Sequence, residues 1–434
     1  MVSSVTIHGS NHSDIAIGFD TASNLAVAQQ LSAYLDVQVT NHKLVTELDS
    51  GGTFPALPSG VAGAYVQSST TLAILPTGYT TDLITKPGPA VVFGSGAANQ
   101  AIMSDINTNL TFNAAGGSGT VVAGGGTTRL LISGEANQAA DPDDDDDSDD
   151  NSPRVGDHPT TWTLYTGAGN DFISVLGNVN ATIGAGGGHN TIMLGSGRDV
   201  IVSTGSDTIL GGSGTETIEA TSAQSDYVQG GNSKLFFLGG GGDVTIIGGS
   251  GSDTYMGSSF GPVGKQLIEG GSAGNNFLFA GDGAATLVGG GNGDQLFAFG
   301  GSNQWLKAGS GNETLSAALS TGQDTLTAGS GKDLLITGFG SNTVVGGSGK
   351  ATVNAAAGNN VFEFIKNQAG GTELVTGMLD PSAIRIALVG YGGGEVNHAL
   401  SSASVKHGSI TIGLTDGTKI TFQDVTTLTR SNFI

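Results

Sequence analysis

The chain has 434 residues, 75 of them Gly and none Cys, and 15 Lys+Arg against 37 Asp+Glu give a net charge of −22. That balance speaks against nucleic acid and anionic membrane as partners and for cations. Without Cys there is no disulfide framework and no thiol chemistry, and no apolar run is long enough to span a bilayer.

Residues 1–89 read as a small α+β head. Ala22 to Leu35 carries Leu25, Ala28, Leu31 and Leu35 on one face, with Ser23 or Asn24 as N-cap, and predicts one amphipathic helix. Strand-like runs come next at Ala64–Val66, Leu72–Leu75 and Leu83–Thr85 between scattered prolines. The head is expected to cover the open first coil of the repeat region, because the end of a stack of strands exposes unpaired edges.

From Ala90 a nine- to ten-residue rhythm begins, with Val92, Ile102, Phe112, Val121 and Leu131 as its apolar beats, so residues 90–134 read as worn coils. Residues 135–160 interrupt it with an acidic run that includes Asp143, Asp145, Asp147 and Asp149. A solvated loop is the plain reading of such a run; a loop that collects calcium is the alternative.

The organising stretch is 161–364. Its phrase is Gly-x-Gly-x-Asp-x-(large apolar), clear at Gly167–Ile173, Gly195–Ile201, Gly249–Tyr255 and Gly329–Leu335. The apolar beat runs through Ile183, Ile192, Ile201, Ile209, Ile218, Val228, Phe237, Ile246, Tyr255, Ile268, Leu278 and on to Phe362. So short a period predicts a solenoid, in which each strand buries its inward residue only because neighbouring copies cover it. The paired glycines are expected to supply positive φ in the turns. Two copies complete one coil, which rises by about 4.8 Å, the distance between paired strands. The fold class is therefore mostly all-β, a parallel β-roll with a small α+β cap and a C-terminal β cap. In that last segment, 365–434, a helix is expected near Glu395–Ser402 and a closing hairpin at Ser409–Leu414 and Thr418–Phe422.

These nonapeptides resemble the RTX (hemolysin-type) calcium-binding repeats. Gln368–Gly371, Leu388–Tyr391, Leu414–Phe422 and Ser431–Ile434 resemble the ends of repeat-bearing type I secreted proteins, especially those of acetic-acid bacteria. The resemblance implies calcium in the turns, an extracellular or cell-surface location and export through an uncleaved C-terminal signal. Splitting the Asp position of each copy by side gives two columns. The first reads Asp171, Asn190, Asp207, Asp226, Val244, Gln266, Ala285, Gln304, Asp324, Asn342, Asn360, and the second Ala181, Asp199, Glu216, Leu235, Asp253, Asn276, Asp294, Glu313, Asp333, Ala351. Fewer than half are Asp, a departure from the family pattern, so a few sites are expected rather than a full ladder: around Asp171, Asp207 and Asp226, and around Asp253, Asp294 and Asp333. Ladders of Asn and Asp that only bond the turns are the metal-free alternative.

No phosphate loop, nucleophile elbow or zinc-protease sequence is present, and no catalytic residue is assigned. The expected function is a secreted calcium-binding structural protein that assembles with itself, head to tail or laterally, into a surface layer, filament or biofilm matrix. An adhesin or carbohydrate-binding module holding polysaccharide or a cell surface is the alternative, with a repeat-bearing lyase or epimerase behind it.

Overall fold

The computed structural model describes residues 3–10, 13–48, 54–134, 160–221, 224–258, 264–301, 303–355, 358–378 and 381–434. The acidic run with Asp143, Asp145, Asp147 and Asp149 lies outside them. The chain divides into two compact units, Met1–Glu219 and Ala220–Ile434, and each is a parallel β-solenoid.

In the first unit, sheet I stacks Leu44–Leu48, Ala62–Gln67, Tyr79–Ile84, Gln100–Ser104, Gly119–Val122, Thr160–Tyr165, Val179–Ala185 and Arg198–Ser203 in parallel. Sheet II stacks the alternate strands, from Leu72–Ile74 to Thr208–Leu210. Register follows the apolar beat: Ile183 sits over Ile201, and Ile173 over Ile192 over Ile209. All five are fully buried, each contributing about 1.5–3 kcal/mol by leaving water.

Parallel stacking begins at Leu44, well before the expected residue 90. The head is smaller than 1–89: an antiparallel hairpin, Ser3–His8 with Asp14–Phe19, and the helix Ala22–Thr40, capped by Thr21, whose hydroxyl accepts from Asn24 N. It reaches the first strand and extends along the outward face of sheet I. Its apolar side (Ile17, Phe19, Ala28, Leu35) lies against Leu44 of the first strand and the outward residues Ala64, Val66, Leu83, Ala101, Met103 and Val122 of sheet I, and the hairpin tip bonds the first strand through Ser10 and Thr46. Phe54, against the rings of Tyr65 and Tyr79, also packs on the early coils. Because the head makes both faces of these strands apolar, the in–out alternation fails there.

In the second unit, sheet III runs from Lys234–Leu238 to Thr372–Thr376, and sheet IV from Asp226–Gln229 to Arg385–Val389. Val228, Ile246, Ile268, Leu287, Leu306, Leu326, Val344 and Phe362 form one continuous inward column. The roll thus passes residue 364 by one more strand on each sheet. The expected cap comes after it: helix Glu395–Ser401, then the hairpin Ser409–Gly413 with Lys419–Phe422, whose second strand pairs with Thr372–Thr376. No helix among the described residues is long and apolar enough to cross a membrane.

Candidate metal centre

The turns bring backbone oxygen together. In Gly195-Ser-Gly197, Gly249-Ser-Gly251 and Gly329-Ser-Gly331 none of the glycines has positive φ, contrary to the expected reason for them. They are glycine because the carbonyl of the preceding coil presses on them. A β-carbon would lie 1.7 Å from Val179 O at Gly197, 1.9 Å from Gly231 O at Gly249 and 1.7 Å from Gly311 O at Gly331. Every such turn therefore carries stacked carbonyls, and the side chain at the Asp position decides what meets them.

The two columns stand as the sequence arranges them within each unit. Most of their carboxylate and amide oxygens reach back to the backbone of the coil before them. Asp171 accepts from Thr128 N at 2.6 Å, Asn190 from Asp171 N at 3.0 Å and Asp207 from Asn190 N at 3.1 Å. Asp199 accepts from Ala181 N, Asp253 from Leu235 N, Asn276 from Asp253 N and Asp294 from Asn276 N, all at 2.8–2.9 Å. Asp324 and Asp333 accept from Gln304 N and Glu313 N. Glu216 and Glu313, one methylene longer, turn into their own loops and accept from Gly212 N and Gly309 N. Asp226 is buried at the head of its strand.

These acids are nearly all sealed from water. Burial pushes Asp199, Glu313 and Glu373 up to about 7, and Asp171 to about 6. It also raises Asp207, Asp253, Asp324 and Asp333. Neighbouring acids add to the effect: Glu216 on Asp199, and Asp294 and Asp333 on Glu313. One oxygen of each of Asp199, Glu313 and Glu373 is buried with no hydrogen-bond partner. A buried anion left so is costly, and a cation is its natural complement.

Among the described residues no three acidic or histidine side chains converge on one point. Asp253, Asp294 and Asp333 do not share an ion-sized space, because Asn276 and Glu313 stand between them in the column. The cradles are mixed instead. The point where a β-carbon of Gly309 would sit is ringed by Gly289 O, Gly290 O and Glu313 Oε1 at 2.7, 3.1 and 3.2 Å. Gly271 has the same surroundings in Gly249 O, Gly251 O and Asp253 Oδ2 at 2.4, 3.0 and 3.1 Å, and Gly205 in Gly188 O, Asp207 Oδ1 and Gly186 O at 2.3, 3.1 and 3.2 Å. Carboxylate and carbonyl oxygens converging in this way suit a hard divalent cation such as Ca²⁺.

Two acids lie outside the repeat count. Glu373 continues the second column directly above Ala351, and Gly371-Thr-Glu373-Leu-Val375 carries the phrase one copy beyond Phe362. Asp20 comes from the head: it accepts from Ala168 N at 3.0 Å, has one buried oxygen without a partner and raises the neighbouring Asp171. No periodicity could point to it.

Glycine-turn coils, buried acids in register and carbonyl cradles define a repeat solenoid built to hold cations in its turns. A family model described as the RTX calcium-binding nonapeptide repeat (four copies) matches residues 163–176, 182–201, 200–224, 236–260, 271–296 and 320–353, and that repeat binds calcium. The chain carries RTX calcium-binding repeats. No curated protein matches it. Asp226, Glu313, Glu373 and Asp20 fall outside the matched segments.

Proposed function

We propose that this is a secreted structural protein whose turns are braced by calcium and which associates side by side with copies of itself in an extracellular layer, filament or matrix. Bound calcium would lie against Asp207, Asp253 and Glu313 and the carbonyls beside them, supplying the positive charge that those cradles lack.

The observation that carries the assembly is an apolar face. On sheet III, Leu238, Met256, Phe279 and Phe297 form one outward column, with Phe236 and Phe277 beside it. Phe277, Phe279, Phe297 and Phe299 form a ring cluster with centroids 5.1–6.5 Å apart, and Phe236, Leu238, Met256 and Leu334 are 37–40 % exposed. Ala64, Val66, Leu83, Ala101, Met103 and Val122, outward on sheet I, are buried under the head; the outward apolar residues of sheet III have no such cover within the described chain. An apolar patch of this kind marks an interface. Side-to-side contact is favoured over end-to-end strand addition, since an antiparallel hairpin terminates sheet III. Export by an uncleaved signal in 365–434 belongs to the same reading.

Negative-stain microscopy and sedimentation of the full chain, with calcium and with EGTA, test it. Ordered assemblies are expected with calcium, and the double variant Phe277→Ser, Phe297→Ser is expected to stay dispersed while keeping its β-sheet circular dichroism. Dispersed wild-type protein in both conditions rejects assembly; assembly by the double variant rejects this face.

A further inference from the structure

The opposite sheet carries a different feature. A groove of about 620 Å³ opens on sheet IV, and its shape results from register. Leu267, Thr286 and Trp305 are successive members of one outward column. The middle strand contributes only Ala284, Ala285 and Thr286, so Leu267 and Trp305 stand as two walls over a low floor. Their backbones are two strand spacings apart, about 9.6 Å, which leaves room for one saturated six-membered ring between the side chains.

The walls differ in chemistry. Trp305 is 45 % exposed, and its indole is pinned because Nε1 donates to Thr327 Oγ1 at 2.9 Å. Around the rim stand Asp243, Lys265, Asn303 and Gln323, with the threonines of the strands beneath them. The floor amides are already engaged: Gln304 spends its amide on Gly281 O, Gly283 O and Phe299 O. An aromatic plane beside a rim of hydroxyl, amide and charged groups recognises a ligand that is apolar on its face and polar at its edge. A pyranose has that character. An extended peptide is a poorer fit, because these strands are paired on both sides and offer no free edge. Nucleic acid and acidic polysaccharide are opposed by the net charge of −22.

We propose that the Trp305 groove binds a hexopyranose unit of a neutral, β-linked polysaccharide. Equatorial linkage leaves axial C–H groups on the ring face that would lie on the indole, while ring hydroxyls meet Asn303, Gln323 and Lys265. The site depends on neither the calcium cradles nor self-assembly, so it stands or falls separately from them.

The test is a titration of the full chain, in calcium buffer, with cellohexaose, followed by tryptophan fluorescence. The chain has two Trp, and Trp162 is fully buried in the other unit, so a saturable change reports Trp305. Wild type is expected to saturate at sub-millimolar to millimolar sugar. Isothermal calorimetry should show Trp305→Ala weakened at least about tenfold, and Thr286→Tyr, which fills the slot but keeps the indole, weakened equally. No saturable binding of cellohexaose or mannohexaose to wild type overturns the proposal. Unchanged affinity in Thr286→Tyr overturns the location, and tighter binding of an oligogalacturonate overturns the neutral class.

Discussion

The two turn columns of the unit Ala220–Ile434 share one backbone design and solve its charge problem in opposite ways. Between Val244 and Gln304 the first column contains no acid. At Gln304 the side-chain amide donates to three carbonyls at 2.7–2.9 Å, and its Oε1 accepts from Phe299 N at 2.8 Å. The positive end that the converging carbonyls need is therefore part of the sequence. The second column offers the same kind of carbonyls but adds Asp253, Asp294, Glu313, Asp333 and Glu373, with one amide, Asn276, among them. Asn276 donates to Gly271 O and Asp294 Oδ1, but Glu313 and Glu373 each keep one buried oxygen without a donor, so their partner has to come from solution, as a proton or as a cation. Glycine spacing builds the cradle; the single side chain before each strand decides whether it is self-sufficient.

The largest effect should come from taking the cation away. In metal-free protein, Asp199, Glu313 and Glu373 hold their protons up to about pH 7 and Asp171 up to about 6, whereas the unfolded chain releases them near ordinary carboxylate values. Across that window the folded state binds more protons than the unfolded state, so stability falls as pH rises from about 4 to about 7. Each pH unit is worth about 1.4 kcal/mol per group, and several groups act together. With EGTA, the melting temperature should be highest near pH 4 and at least about 10 °C lower at pH 8. With calcium the loss at pH 8 should largely disappear, and at pH 5 calcium should matter little. A metal-free melting temperature that climbs from pH 5 to pH 8 sinks this account of the second column.

Gln304 tests the first column. Gln304→Ala strands three turn carbonyls and the Phe299 N–H, and should cost about 2–4 kcal/mol. The cost should be the same with calcium or EGTA, since alanine brings no carboxylate to these carbonyls and Asp324 stays bonded to the backbone N–H of residue 304. Gln304→Glu keeps the shape and turns the amide into an anion, so it should be as damaging in EGTA but recover in calcium. Equal melting temperatures for Gln304→Glu in the two buffers would show that the amide is not standing in for a cation.

The same contrast separates what was legible in the sequence from what was not. The inward columns could be read because one large apolar residue per copy is all the period requires, and Ile183 over Ile201 follows from spacing alone. The turn ladders of Asp and Asn could be read for the same reason. The role of glycine was half read: Gly188, Gly231 and Gly274 do take positive φ, but at Gly197 and Gly331 it is close carbonyls that forbid a side chain. The early coils were hidden because the head covers Val66, Leu83 and Met103, which erases the polar half of the alternation. Asp20 was hidden because it reaches the turns from another element. Glu313 stands in a counted copy, but nothing in its spacing shows that the extra methylene leaves one oxygen without a donor.

The smallest and most specific effect is at that residue. Glu313 Oε2 accepts from Gly309 N, while Oε1 faces Gly289 O and Gly290 O. In Glu313→Gln an amide NH₂ can occupy the place of that orphan oxygen and donate to the two carbonyls, as Gln304 does on the other side. The metal-free protein should therefore gain about 1–2 kcal/mol at pH 8, a rise of about 2–8 °C, and lose part of its pH dependence, because one acid raised to about 7 has been removed. Calorimetric titration should show one fewer calcium bound, with the remaining sites unchanged. If the variant instead binds as many ions as wild type and melts lower in EGTA, the cradle at Gly309 is not a calcium position, and Glu313 serves only to hold its own turn.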